Sequence, residues 1–141
     1  MRRARFFGLG GVVEDVRARL KRRDPDGMTS AMLNDDARFI FPANDVYCSA
    51  GGTVGGSLYE PEIDRVLLQA KDRPYALIDC GANMGYWSIL ASSAPYGRHQ
   101  AVAIEASKSN FDILTMNIRA NGGRFVALHR AVAAQSGNKV P

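Results

Sequence analysis

"LIDCGANMGYWSIL", residues 77–90, decides the fold. A short apolar run ends in Asp79, Gly81 and Gly85 follow, and an amphipathic run rich in aromatic residues begins directly after them. Strand, glycine turn and helix in immediate succession form the first part of a crossover unit. Downstream, the pattern predicts a strand over 76–80, a helix over 85–94, a strand over 101–105, a helix over 108–120 and a strand over 124–129. The second helix carries Phe111, Leu114 and Ile118 as its apolar stripe with Ile113 on the flank, and "NGG" at 121–123 stops it as a glycine cap does. Alternation of this kind specifies an α/β fold with a parallel sheet and right-handed crossovers.

Upstream, "GSLYEPEIDRVLLQAK" places Ile63, Val66, Leu67 and Ala70 at helical spacing, with Pro61 in the first turn and Glu60, Glu62 and Asp64 near the positive end of the helix dipole. Residues 37–41 and 45–49 flank "PAND" and read as a β-hairpin. "SAGGTVGGS" reads as a connector, since no strand-to-helix step accompanies its glycines. Leu9, Val12, Val13, Val16 and Leu20 define an amphipathic basic helix within residues 1–27, which "RDPDGMTS" separates from a body over 28–141.

A length of 141 residues with 46% apolar content suits a single domain. The net charge of +4 is local: residues 1–27 hold eight of the 18 basic and four of the 14 acidic residues, which leaves ten of each in the body. A neutral body removes the charge argument for a nucleic-acid partner, and none is expected; a membrane-surface role is confined to the basic helix. Cys48 and Cys80 have neither metal-ligand spacing nor histidine neighbours, so no metal site is expected. Glu14 and Asp15 interrupt the only leader-like stretch, and a cytoplasmic location is the expectation.

In a parallel sheet the ligand lies beyond the carboxyl ends of the strands, where Asp79, Gly81 and Gly85 fall. Glycines there let a ligand approach the backbone, and the helix start that follows favours an anionic group. The spacing is D-x-G-x-x-x-G. It lacks the third glycine of a dinucleotide fingerprint and the lysine of a P-loop. An acid at the strand end would repel a pyrophosphate but suits an ammonium, so an amino-acid moiety such as that of S-adenosylmethionine meets both demands. Glu105 ends the next strand, twenty residues after Gly85. It can accept from both ribose hydroxyls, contacts worth about 1.5 to 3 kcal/mol together. Nicotinamide sites use an acid there too, so Glu105 indicates a nucleoside while Asp79 discriminates between cofactors. Tyr86 and Trp87 read as packing residues, with a ring at the loop edge able to cover a sulfonium through a cation-π contact, Tyr59 and Glu60 as groups able to close over the ligand, Asn110 as support for its helix start, and His99 and His129 as non-catalytic.

With those residues in view, "LIDCGANMGYWSILAS", "AVAIEASKSNFDILTMNIRANGG" and "FVALHRAVAAQSG" together resemble the FkbM family of S-adenosylmethionine-dependent methyltransferases. The resemblance spans about residues 37–137. It implies a Rossmann-like, class I methyltransferase doubly wound parallel sheet, of which this sequence holds the first half: three parallel strands preceded by a β-hairpin and helices. Carried across, it implies that Asp79, Gly81, Ala82, Asn83 and Gly85 surround the methionine part of the cofactor and that Glu105 holds the ribose. Ala106 would lie against the adenine, with the backbone of Arg130 and Ala131 near its edge. Ala106 departs from the proline common in the family, which loosens the turn without removing a polar contact. The implied activity is O-methylation of a small-molecule or glycan hydroxyl, on a sugar, a glycolipid or a natural product. Binding of the cofactor without catalysis and nicotinamide-dependent oxidoreduction are the alternatives. No catalytic base can be named, and the absence of a fourth strand predicts a fragment, or a chain that needs a partner, with apolar faces left open.

Overall fold

The computed structural model describes residues 27–45, 48, 59–135 and 137. The basic helix expected within residues 1–27 and the connector at 49–57 lie outside the described residues.

Strict alternation builds the hairpin. In β2 (Ala37–Pro42) Ala37, Phe39 and Phe41 are buried while Arg38 is exposed. Its antiparallel partner is β1 (Met28–Asn34), with Met28 opposite Pro42 and a register shift between Met32 and Asn34. The described partner of β2 is thus β1 rather than the expected strand over 45–49, of which residues 46, 47 and 49 lie outside the described residues. The chain reverses at Asp35 and Asp36, where the Asp36 amide donates to Asn34 Oδ1 at 2.9 Å. An asparagine that bonds its own backbone two residues on closes a turn by itself. The small and polar residues of "MTSAMLN" had hidden the strand before it. "PAND" is a second turn, with the Asp45 amide donating to Pro42 O at 3.0 Å, and it leads out of the hairpin.

Helix α1 (Pro61–Ala70) starts at its proline. Of its expected stripe only Leu67 is buried, and Val66 is 61% exposed. Leu67 packs with Leu90 and Tyr96, and the Tyr96 hydroxyl donates to Asp64.

The crossover units follow as expected: β3 (Ala76–Cys80), α2 (Tyr86–Ala91), β4 (Gln100–Glu105), α3 (Lys108–Ala120) and β5 (Val126–His129), with the strands parallel in the order β3-β4-β5. Helix α2 is shorter than the sequence implies. The hydroxyls of Ser92 and Ser93 donate back to the carbonyls of Ile89 and Leu90, and a single 3-10 turn over Ala94–Tyr96, containing Pro95, takes over. Helix α3 starts on Ser107, whose Oγ accepts from the Asn110 amide. It ends with Gly122 and Gly123 at φ 68° and 70°, the Gly123 amide donating to Ile118 O.

The core lies between one sheet face and α2, α3 and the hairpin, with Phe39, Phe41, Ile89 and Leu114 fully buried against Ala101 and Ala103. Small residues on β4 let the helices approach the sheet closely. The hairpin is docked by two asparagines one helical turn apart. Asn117 Oδ1 accepts from the Ile40 amide at 2.6 Å while its Nδ2 donates to Ile40 O and Met84 O, both at 2.9 Å. Asn121 Oδ1 accepts from the Arg38 amide at 2.9 Å, and its Nδ2 donates to Arg38 O at 2.6 Å. Residues 38 and 40 are the outward-facing pairing positions of β2, so the two side chains serve its open edge as another strand would.

Candidate functional site

The turn between β3 and α2 is built by its own backbone. Gly81, Asn83 and Gly85 all have positive φ, at 78°, 52° and 88°. A Cβ on Gly81 would meet nothing within 4 Å, so conformation alone calls for glycine there. A Cβ on Gly85 would sit 2.5 Å from Leu114 Cδ1, so that glycine is needed for α3 to pack against the turn. The expectation that Gly85 admits a ligand is corrected accordingly: its bare face meets the core.

The loop amides also have occupants. Gly81 and Ala82 donate to Ile104 O at 2.9 and 3.0 Å, Gly85 donates to Ala82 O at 2.7 Å, and Asn83 donates to Glu105 Oε2 at 2.8 Å. These four loop amides are therefore already used within the turn. Glu105 itself is buried, at 8% exposure, and its Oε1 accepts from the Ser107 amide at 2.7 Å. Each oxygen keeps one further lone pair for a ligand hydroxyl. The carboxylate thus ties the first glycine loop to the start of α3 before it holds anything else.

Asp79 sits half-buried on the covered face of β3, and Ser88 Oγ donates to its Oδ2 at 2.7 Å. Burial pushes the Asp79 carboxyl above the usual aspartate value, the Ser88 hydroxyl and amide pull it back, and the charges of Glu60 and Glu105 add to the rise. Ser88 is fully buried. It was overlooked in the sequence, although an acid followed nine residues later by a hydroxyl on the next helix is a signal of spacing.

Beside the turn lies a cavity of about 520 Å³, within the range of small-molecule sites. Asp79, Gly81, Ala82, Asn83 and Met84 form one side; Phe39, Tyr59, Glu60, Ile63, Tyr86 and Trp87 form the other, with Asp45 and the two cysteines completing the wall. Three carboxylates, Asp45, Glu60 and Asp79, line this space, and no Lys, Arg or His is among its described lining residues. Tyr86 and Trp87, read as packing residues, are in fact at the wall. The Tyr59 ring meets Tyr86 edge-on at 5.5 Å and stacks on Trp87 at 6.1 Å, while Trp87 Nε1 donates to Glu60 Oε2 at 2.8 Å. Burial pushes the Tyr86 hydroxyl up to about 12, so it stays protonated at neutral pH.

Glu105, Ala106, Arg130 and Ala131 are not part of this wall. They gather at the carboxyl ends of β4 and β5, where the Arg130 amide donates to Glu105 O at 3.0 Å and His129 Nε2 bonds Ala106 O at 3.0 Å. Ala106, Arg130 and Ala131 are exposed. The structure therefore divides the expected residues between an enclosed acidic cavity and an open shelf, with Asn83 and Glu105 joining the two. His99 stacks on Tyr75 at 3.7 Å, away from both. Among the described residues no three His, Cys, Asp or Glu side chains gather as a metal site, and no helix is long and apolar enough to cross a membrane.

No protein-family model and no curated protein matches the chain. Solved structures do resemble it. Pyrococcus horikoshii TYW2 in complex with MeSAdo aligns at 18% identity and TM-score 0.49 over 77% of this chain and 38% of its own. A protein of the same organism with a provisional transferase assignment aligns at 18% and 0.48, over 75% of this chain and 37% of its own. A third, with a provisional RNA methyltransferase assignment, aligns at 22% and 0.38 over 48% and 36%. The chain spans a little over a third of each of these proteins. Likenesses this distant decide neither ligand nor activity, and they lend nothing to the expected absence of a nucleic-acid partner.

Proposed function

We propose that the chain carries the donor half of an S-adenosylmethionine-dependent methyltransferase of the FkbM kind, acting on a hydroxyl of a sugar, glycolipid or natural product. The observation that supports it best is the wall of three carboxylates, with no basic side chain among the described lining residues, set beside a glycine turn at the ends of two parallel strands. A pyrophosphate would be repelled there, which disfavours nicotinamide dinucleotides. A ligand with an ammonium and a sulfonium fits.

In this reading Asp79, Gly81, Ala82 and Asn83 hold the methionine end. Glu105 takes the ribose hydroxyls through its remaining lone pairs, and Ala106 with the backbone of Arg130 and Ala131 forms the shelf for the base. Gly85 contributes by letting α3 fix the turn. When bound, the cofactor supplies an electrophilic methyl group on a sulfonium. The chain's task is to orient that group and exclude water from it, and the aromatic wall suits the second task. A hydroxyl acceptor also needs a base to take its proton. The acceptor class rests on the FkbM resemblance alone.

Titration calorimetry of the chain with S-adenosylmethionine, and separately with NADH, tests the donor site. Binding of the first, weakened about tenfold by Asp79→Asn, is the expected result; binding of NADH alone would overturn it. Transfer of a labelled methyl group to a panel of sugar and glycolipid hydroxyls tests the reaction. Cofactor binding with no labelled product from any acceptor would favour a binding module.

A further inference from the structure

The turn accounts for how the methionine end could be held, but not for the opposite wall. Glu60 has φ 48° and ψ 66°, a left-handed conformation disfavoured for a residue with a side chain. It stands at the N-cap of α1 without capping that helix. Its carboxylate reaches across to the Trp87 indole instead. That hydrogen bond uses one oxygen and leaves the other free, and none of the described residues lining the cavity is basic. Around it, Tyr59, Tyr86 and Trp87 form a cluster in which each ring touches the other two, Tyr86 and Trp87 meeting edge-on at 5.0 Å. Aromatic faces and a carboxylate share one preference, which is for a cation. Acids alone would be a solvated patch; here they are walls of a cavity together with rings.

We propose, on the reading of the cavity as a donor site, that Glu60 and the Tyr59, Tyr86 and Trp87 cluster read the positive charge of the bound ligand. S-adenosylmethionine is thereby held more tightly than its demethylated product, S-adenosylhomocysteine. The two differ by one methyl group and one unit of charge, since the sulfonium becomes a neutral thioether when its methyl group leaves. A site selecting on shape alone would hold both. A site selecting on charge loosens its grip once the methyl group has left, so Glu60 acts as a specificity-determining residue that favours product release. Burial is the main cause of the rise of the Asp79 carboxyl, and the nearby charge of Glu60 adds to it, as two like charges held near each other would.

The test is the ratio of dissociation constants for the product and for S-adenosylmethionine, measured by calorimetry on the full chain and on Glu60→Gln and Trp87→Leu. The native chain should favour S-adenosylmethionine about tenfold. Glu60→Gln keeps an acceptor for the Trp87 indole. It should bring the ratio toward one by weakening S-adenosylmethionine while leaving product affinity unchanged. Trp87→Leu should lower the ratio too, and added salt should weaken S-adenosylmethionine more than the product. Equal affinities in the native chain, or a Glu60→Gln loss shared equally by both compounds, would overturn the charge reading and leave the donor site standing. A native chain that binds neither compound would overturn the donor site and this inference with it.

Discussion

The two faces of the parallel sheet could hardly differ more. On one, Leu77, Asp79, Ala101, Ala103, Glu105 and Ala127 lie under α2, α3 and the hairpin, with side-chain hydrogen bonds and buried rings holding the layers together. On the other, Ile78, Val102 and Val126 form one row across the strands and Cys80, Ile104 and Leu128 the next, with Ile78 67% and Val126 58% exposed among the described residues. Composition does not explain the contrast, because the open face is the more apolar of the two. Crossover handedness explains it. Two successive right-handed crossovers put both helices on the same side of the sheet. The open apolar area expected from sequence is therefore chiefly a sheet face, joined by the outer side of α1 at Val66 and Leu68.

The sharpest way to break this contrast is Asn117→Leu. It would leave the Ile40 amide, the Ile40 carbonyl and the Met84 carbonyl without their partner inside the packed face. A loss of about 3 to 4 kcal/mol in urea unfolding is expected; a loss below about 1 kcal/mol would mean that the hairpin docks by its rings alone. Gly85→Ala comes next. It combines a positive φ with a Cβ 2.5 Å from Leu114 Cδ1, for an expected loss of about 2 to 3 kcal/mol. Pairing it with Leu114→Ala should give a loss smaller than the sum of the two, as a double-mutant cycle would show.

Asp36 supplies a pH-dependent test of the same face. The Ala94 amide, with Arg124 and Arg98 nearby, holds its carboxyl below the usual value, against a smaller opposing effect of burial. With the folded value depressed, the stabilisation is complete above the unfolded pKa of about 3.8 and is lost as pH falls through the folded value. Asp36→Asn should flatten the acid limb of stability against pH; an unchanged limb would remove Asp36 from the account. The smallest effect belongs to the open face. Ile78→Ser should cost less than about 0.5 kcal/mol, and a loss above about 1.5 kcal/mol would show that something covers that face in solution.

How much of this was legible beforehand varies with the range of the interaction. Helix α3 and the strand-turn-helix at 76–91 follow from apolar period and local caps, and the sequence reading places them to within a few residues. The hairpin was half legible. Phe39 and Phe41 betray β2 by alternation, but β1 has no strong pattern of its own and exists because β2 gives it a partner to pair with. At the candidate site the acids and glycines stood out as residue types, while their uses did not. Gly85 serves Leu114, Glu105 braces two turns, and Ser88, Asn117 and Glu60 carry contacts spanning nine, 77 and 27 residues of chain.

By itself, then, the sequence determined the α/β alternation, the glycine turn after Asp79 and the acid at the end of the following strand. Those depend on periodicity and backbone conformation, which neighbouring residues control. Only the tertiary structure decided that the loop amides are already occupied, that the hairpin edge is closed by two asparagines, and that Glu60 bonds Trp87 in the wall of an acidic cavity. The physical reason is that a hydrogen bond or a ring contact between distant segments leaves no periodic trace in the chain; it exists only once packing has brought its partners together.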